Sequence, residues 1–154
     1  MSRNQVSVQR LIPVPAEAIF DLLADPARHK DIDGSGTVVG ARSGGRRLKL
    51  GDSFGMDMKM GASYSTKSTI VEFSENRLIA WQVFAPAPLN KLFTGRIWRY
   101  ELQPKDEGTL VTETWDISTE AFTSRWLVRR AMADSTRVNM ARTLERIEEL
   151  LTKS

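Results

Sequence analysis

The feature that most constrains the fold is a long amphipathic stretch near the C-terminal end, roughly residues 122–151. No Pro or Gly interrupts it, so the pattern predicts one continuous helix. Its apolar stripe, spaced by four, three and four residues, consists of Met140, Leu144, Ile147 and Leu151. Val138 and Ala141 are expected to widen this stripe. A helix with one apolar face needs another element to cover that face.

The residues before this helix read mainly as β-strands separated by Gly- and Pro-marked turns. Strands are predicted at residues 5–12, 37–42, 52–60, 62–73, 78–84, 95–103 and 108–117. Two short helices are expected after the first strand: one begins at Pro15, and the other is a turn that Asp25 could cap. Strands grouped apart from helices indicate an α+β fold. We therefore predict a curved antiparallel sheet of about seven strands around the C-terminal helix.

Composition excludes several classes of function. The chain has 154 residues, which predicts a single domain over residues 1–154, and it contains no Cys, which excludes disulfides and thiolate chemistry. One His and no Cys cannot build the usual zinc sites, so no metal or cofactor is expected. The net charge of +3 comes from scattered residues, and nucleic-acid binding is not expected. Without a signal peptide or an apolar span, the sequence predicts a cytoplasmic protein, either a monomer or a homodimer.

Three segments resemble the START-like helix-grip superfamily of polyketide cyclase/dehydrase and lipid-transport proteins. The first is VPAEAIFDLLADP at residues 14–26, which is similar to the entry helix of that family. The others are GRIWRYEL at 95–102 and GTLVTETW at 108–115, which are similar to its last hairpin. The resemblance covers essentially the whole chain. It implies a helix-grip fold with an internal cavity for a lipophilic ligand, but it does not imply a reaction.

Strand alternation selects the residues that would line such a cavity. Met56, Met58 and Met60 share one face, and flexible thioether side chains can repack around ligands of different shape. Aromatic residues on neighbouring strands could point the same way, although all these side chains could instead simply fill the core. The candidate ligand-binding residues are Met56, Met58, Tyr64, Trp81, Trp98, Tyr100, Glu113, Trp115, Met140 and Leu144.

Glu113 and His29 are the candidate catalytic residues. Glu113 lies between Val111 and Trp115 on an otherwise apolar face, where a carboxylate would need a raised pKa or a cationic partner. Arg96 and Arg99 on the preceding strand are possible partners for this carboxylate. The alternative is that this face of the strand is exposed. His29, the only histidine, is expected near the cavity mouth, and in a polar loop it would normally be solvated.

Three functions are compatible with this pattern. A non-catalytic protein that binds or carries a hydrophobic small molecule, such as a lipid or polyketide, needs only adaptable apolar and aromatic residues, and the sequence favours it over an enzyme. A polyketide cyclase or dehydratase needs polar groups in the pocket; the candidates are Glu113, Tyr64, Tyr100, Arg96 and His29. The third is a regulatory protein-interaction module that uses residues 122–133, where apolar and basic side chains mix.

Overall fold

The computed structural model describes residues 4–34, 38–41, 47–84, 95–120 and 122–153. Seven strands are present within these ranges: β1 (Gln5–Ile12), β2 (Val38–Ala41), β3 (Ser53–Met60), β4 (Ala62–Ser74), β5 (Leu78–Phe84), β6 (Arg96–Lys105) and β7 (Gly108–Asp116). The helices are α1 (Ala16–Leu23), α2 (His29–Ile32) and α3 (Phe122–Thr152), with a 3-10 turn at Pro26–Arg28. The predicted ends of the second strand, at residues 37 and 42, lie outside the described residues.

All seven strands form one antiparallel sheet in the order β1-β7-β6-β5-β4-β3-β2. The chain therefore crosses from β1 at one edge to β2 at the other, and the connection contains α1 and α2. From β2 to β7, each strand pairs with the next one along the chain, and short turns join β3 to β4, β4 to β5 and β6 to β7. The predicted α+β helix-grip architecture is confirmed: a curved sheet, a long C-terminal helix and two short helices after β1.

The short helices are fixed by local chemistry that the sequence predicts. Pro15 is the N-cap of α1, one residue before the first helical position. The carboxylate of Asp25 accepts a hydrogen bond from the backbone N–H of Ala27 at 3.0 Å and caps the 3-10 turn. Phe20 on α1 is fully buried and lies edge-on to Phe73 of β4, with ring centroids 5.4 Å apart. The segment that follows β1 is therefore anchored to the inside of the sheet.

One face of α3 is buried in the core. Met140, Leu144 and Ile147 are buried as predicted, and Leu151 is half-buried. Arg10 of β1 forms an ion pair with Glu148 of α3, with 3.2 Å between Nε and Oε1. β1 and the second half of α3 are therefore joined at the edge of the sheet as well as through the core.

The predicted width of the α3 stripe is wrong. Val138 is 51% exposed and Ala141 is exposed as well. Val138 precedes Met140 by two residues, which is about 200° of rotation around an α-helix, so its side chain points away from the sheet. The buried face continues instead through Thr136 and Thr143, which lie close to the same angle as the stripe.

Candidate functional site

The centre of the candidate site is Glu113 on β7. Because side chains alternate along a strand, Val111, Glu113 and Trp115 all point to the concave face that α3 covers. All three are buried, and Glu113 is only 2% exposed. In the registers of the sheet, Val8 of β1 and Tyr100 of β6 lie directly opposite Glu113 on its two sides. The prediction that this glutamate lies on the apolar face is consistent with its position in the structure.

Tyr100 is the hydrogen-bond partner of Glu113. Its hydroxyl donates to Oε2 of the carboxyl group at 2.8 Å, whereas Oε1 is buried and has no partner among the described residues. Burial raises the pKa of Glu113 from 4.5 to about 8, against the opposing effect of the tyrosine hydrogen bond. Burial and the neighbouring glutamate also raise the pKa of Tyr100 well above its usual range. At neutral pH, Glu113 is therefore mainly a neutral carboxylic acid.

The two arginines considered as partners of Glu113 lie elsewhere. Arg99 forms ion pairs with Glu72 at 2.7 Å and Asp116 at 3.3 Å on the opposite side of the sheet. Arg96 lies 3.4 Å from a carboxylate oxygen of the buried Glu120, just after β7. Arg99 is one position out of phase with Tyr100 and points outward. Arg96 shares the concave face with Trp98 and Tyr100, but it precedes Tyr100 by four residues, about 13 Å along β6. Neither guanidinium compensates the burial of Glu113.

A row of aromatic rings continues from Tyr100 across the sheet. Tyr100 stacks on Trp81 of β5, with centroids 5.5 Å apart and an angle of 29° between the rings. Trp81 in turn stacks on His29 of α2, at 4.8 Å and 20°. Phe54 of β3 closes the row by an edge contact with His29 at 5.5 Å. The carboxyl group of Glu113 is thus connected to α2 by stacked side chains that pack tightly and resist reorientation.

His29 is buried in this row, and the expectation that it is solvated is wrong. Its Nε2 donates a hydrogen bond to the backbone carbonyl oxygen of Leu23 at 2.8 Å. Burial is the largest influence on this imidazole and lowers its pKa, so the ring is neutral at pH 7. A weak signal existed in the sequence, since His29 is three residues before the buried Ile32 and shares its helical face.

The remaining candidate residues fall into two groups. Met56, Trp115, Met140 and Leu144 are buried, whereas Met58, Tyr64 and Trp98 are half-buried. Tyr64 lies opposite Met58 in the register of β3 and β4, and Trp98 lies between Trp81 and Trp115 in neighbouring registers. The side chain of Met60 lies outside the described residues. All ten predicted ligand residues lie on strands or on α3, and their role in binding stays a prediction.

Sequence reasoning missed the contacts of Asp33 and Gly34, which follow α2. The Asp33 carboxylate accepts a hydrogen bond from the Val38 N–H at 2.9 Å and is close enough to raise the pKa of Glu113. The next residue, Gly34, is buried and donates its N–H to the hydroxyl of Thr143 on α3 at 3.0 Å. The sequence marks this segment only as a loop, because its contacts lie about a hundred residues away along the chain.

Gly34→Ala is expected to destabilise the protein by about 1–3 kcal/mol, because an added Cβ would overpack this contact. The new atom would lie 2.2 Å from the carbonyl oxygen of Asn139 and 2.8 Å from the Cβ of Arg142. Gly40→Ala is the matched control, since nothing lies within 4 Å of a Cβ at that position. Urea unfolding measures both; equal midpoints for the two variants would contradict this account of the loop.

A shallow groove of about 290 Å³ opens on the other side of the sheet, away from Glu113. It is lined by Arg77, Leu78, Glu101, Leu102, Gln103, Leu110 and Thr112. Glu101 and Gln103 point outward there, in alternation with Tyr100 and Leu102. Its position differs from the predicted cavity between the sheet and the C-terminal helix, and its lining contains none of the candidate ligand residues.

The first turns of α3 combine apolar and basic side chains at the surface. Trp126 is 58% exposed and Leu127 is similarly exposed, whereas Val128 is buried against Trp115 and Met140. The guanidinium of Arg130 lies over the Trp126 ring at 5.5 Å. Within the described ranges, no helix is long and apolar enough to cross a membrane. The protein-interaction role of residues 122–133 stays a hypothesis.

Comparisons with known proteins agree with this architecture. Over 115 residues, the chain is 36% identical to the uncharacterized protein Rv0088 of Mycobacterium tuberculosis; the match covers 73% of this chain and 47% of that protein. The chain thus spans about half the length of the curated relatives it matches.

The fold is shared with solved structures of low sequence identity. The crystal structure of protein NE0264 from Nitrosomonas europaea superposes with a TM-score of 0.75 at 16% identity, covering 99% of this chain and 97% of that one. DynU16, a protein in the dynemicin biosynthetic locus, gives 0.64 at 11% identity, covering 97% of this chain and 48% of that one. Residues 3–152 also match the family described as polyketide cyclase/dehydrase and lipid transport. The chain therefore belongs to the polyketide cyclase/dehydrase and lipid transport family.

Proposed function

We propose that this protein binds a hydrophobic small molecule, a lipid or polyketide-like compound, between the concave face of the sheet and α3. The observation that carries this proposal is the buried carboxyl group of Glu113, whose Oε1 has no hydrogen-bond partner among the described residues. Nearly all buried polar atoms in folded proteins have a partner, and one without a partner needs an explanation. A ligand bound beside Glu113 would explain this unpaired oxygen.

The division of the apolar core supports the same location. One buried cluster contains Tyr100 and Val111, and a second contains Trp115 and Met140. Glu113 lies on β7 between these two clusters. Val8 and Trp98 are only partly buried and pack against both of them. A core that is interrupted by a polar group, with half-buried side chains at the interruption, is a favourable place for a ligand to enter.

Half-buried side chains on the concave face suit ligands of variable shape. Trp98 lies at the interruption, and Met58 lies on β3 at the margin of the first cluster, so both can change rotamer without breaking a closely packed core. Methionine adapts to irregular surfaces, and the aromatic rings supply flat apolar area with few rotatable bonds. This combination favours binding over a narrowly specific reaction.

Binding is expected to be saturable at one site and to raise the melting temperature, because a ligand of the native state stabilises it by mass action. In a Trp126→Phe background, the fluorescence of Trp81, Trp98 and Trp115 reports the interior alone. A panel of fatty acids, sterols, flavonoids and aromatic polyketides provides the ligands. Native mass spectrometry of protein from its own host tests for a retained molecule.

The location of the site can be tested with a matched pair of substitutions on β1. Val8→Phe adds bulk opposite Glu113, whereas Leu11→Phe adds the same ring type on the exposed side of the strand. We expect the first change to weaken binding at least about tenfold and the second to leave it unchanged. Equal affinities for both variants would place the ligand elsewhere, and absence of saturable binding across the panel would refute the proposal.

A second candidate function is a polyketide cyclase or dehydratase reaction, and the protonation of Glu113 favours it. A carboxylic acid that is neutral near pH 7 can act as a general acid, and Tyr100 would hold it in place. Under this alternative, Glu113→Gln should lower turnover by about 10²–10⁴-fold and leave substrate binding nearly intact. A ligand that is bound but recovered unchanged from the wild-type protein favours the binding function.

A further inference from the structure

This inference rests on the proposed function and concerns the chemistry of the ligand. We infer that the interior beside β7 offers hydrogen-bond donors, at Glu113 Oε1 and Trp115 Nε1, and therefore takes a neutral ligand with oxygen acceptors, such as ketone carbonyls. A free fatty acid does not fit this site.

The first donor follows from the direction of the Tyr100 hydrogen bond. The tyrosine hydroxyl donates to Oε2 of Glu113 at 2.8 Å, so Oε2 acts as the acceptor. In a neutral carboxylic acid, the proton then belongs on the other oxygen, Oε1. Oε1 is fully buried without an acceptor among the described residues, so its O–H is available to a ligand.

The second donor is the indole N–H of Trp115. This nitrogen is buried and also has no partner among the described residues. An indole N–H can only donate a hydrogen bond. The O–H of Glu113 is a donor as well, so the two groups do not satisfy each other. Trp115 follows Glu113 by two residues on the same face of β7, and the two backbone positions are about 7 Å apart. A ligand with oxygen atoms at two positions along its length could therefore satisfy both.

The charges around Glu113 disfavour an anion. The titratable groups that act on this carboxyl are Tyr100 of β6 and Asp33, in the loop after α2. Asp33 raises the pKa of Glu113, as a nearby negative charge does. The arginines of β6 are engaged in other ion pairs, Arg99 with Glu72 and Asp116, and Arg96 with Glu120. A ligand carboxylate beside Glu113 would lie near the negative charge of Asp33, and Arg96, the arginine on the same face, already forms an ion pair with Glu120.

A matched set of naphthalene compounds separates these possibilities by calorimetric titration at pH 6.5. The four probes are 2-acetylnaphthalene, 2-ethylnaphthalene, 2-naphthoate and 1-(2-naphthyl)ethylammonium, which differ in one substituent on the same ring. We expect the ketone to bind about fivefold to tenfold more tightly than the hydrocarbon, as one added hydrogen bond allows, and the carboxylate to bind least tightly. Raising the pH through about 8 should remove the ketone preference as Glu113 ionises.

Two substitutions test whether Glu113 is the donor. Glu113→Leu should abolish the preference for ketone over hydrocarbon at every pH, because the donor is gone. Glu113→Gln should restore that preference through its amide N–H and remove its pH dependence. A preference that survives in the leucine variant would overturn the assignment to Glu113. Trp115→Phe should leave this preference of the single carbonyl in place, because the indole N–H is a separate donor.

The outcomes distinguish this inference from the proposed function. If the carboxylate or the ammonium probe binds as tightly as the ketone, the inference is wrong while the binding function stands. If none of the four probes binds and the wider ligand panel also fails, both are wrong. A ligand-free measurement is independent of either result: a carboxyl-carbon NMR shift that shows Glu113 ionised at pH 6.5 would overturn the inference alone.

Discussion

Glu113→Gln is expected to make the protein more stable at alkaline pH, by on the order of 3–5 kcal/mol at pH 9. Folding raises the pKa of this carboxyl from 4.5 to about 8. Between these two values the folded protein binds more protons than the unfolded chain, so the free energy of unfolding decreases as the pH rises. Each pKa unit corresponds to about 1.4 kcal/mol, and glutamine never incurs this cost.

Urea unfolding between pH 4.5 and pH 9 measures this effect. The two proteins should be nearly equal in stability at the acidic end and diverge steadily above it. Glu101→Gln is the matched control, because Glu101 lies next to Tyr100 on β6 but is exposed on the outer side of the sheet. Parallel curves for wild type and Glu113→Gln would mean that Glu113 ionises freely, and the site described here would lose its central feature.

His29 should make the protein less stable as the pH falls, and the wild type and the Glu113→Gln variant should share this dependence. Burial lowers the pKa of this imidazole below 6.5, so below that pH the unfolded chain binds more protons than the folded protein. The free energy of unfolding therefore decreases as the pH falls below 6.5. Glu113→Gln leaves His29 unchanged, so the free energy of unfolding of this variant should still decrease at acidic pH. The same experiment therefore separates the effect of His29 from that of Glu113.

The architecture was predictable because it depends on periodicity. The stripe of Met140, Leu144 and Ile147 repeats at helical spacing, and the strands alternate at period two, so which face is buried follows from the sequence. The error at Val138 shows the limit of this reasoning. An apolar residue near a stripe was assigned to it, although its angle around the helix places it on the opposite side.

The site was predictable only where it depends on one strand. Alternation along β7 places Glu113 inward without any knowledge of its neighbours. Its partner Tyr100, however, depends on the register between β6 and β7, and the sequence suggested arginines from the same strand instead. Asp33 could not be found at all, because its position beside Glu113 arises from the packing of two segments about eighty residues apart. Tertiary contacts of this kind have no local signature.

Removing residues 138–154 is expected to abolish cooperative unfolding, because the deleted part of α3 contains Met140, Leu144 and Ile147 of the core. A curved sheet without this cover would expose its concave apolar face to water. The sharper test is a single substitution. Leu144→Ala should lower the free energy of unfolding by about 2–5 kcal/mol, since its side chain is almost completely buried in the main core cluster.

Val138→Ala is the matched control for Leu144→Ala on the same helix. Val138 is 51% exposed, and the change should alter stability by less than about 0.5 kcal/mol. The comparison holds helix, method and replacement residue constant, so the difference between the two variants reports burial against the sheet. Equal losses in the two variants would contradict the burial of Leu144 against the sheet, because Ala is the better helix former at both positions. A truncated protein that still melts sharply would contradict the dependence of the sheet on α3, and the ligand site proposed between them would lose one of its walls.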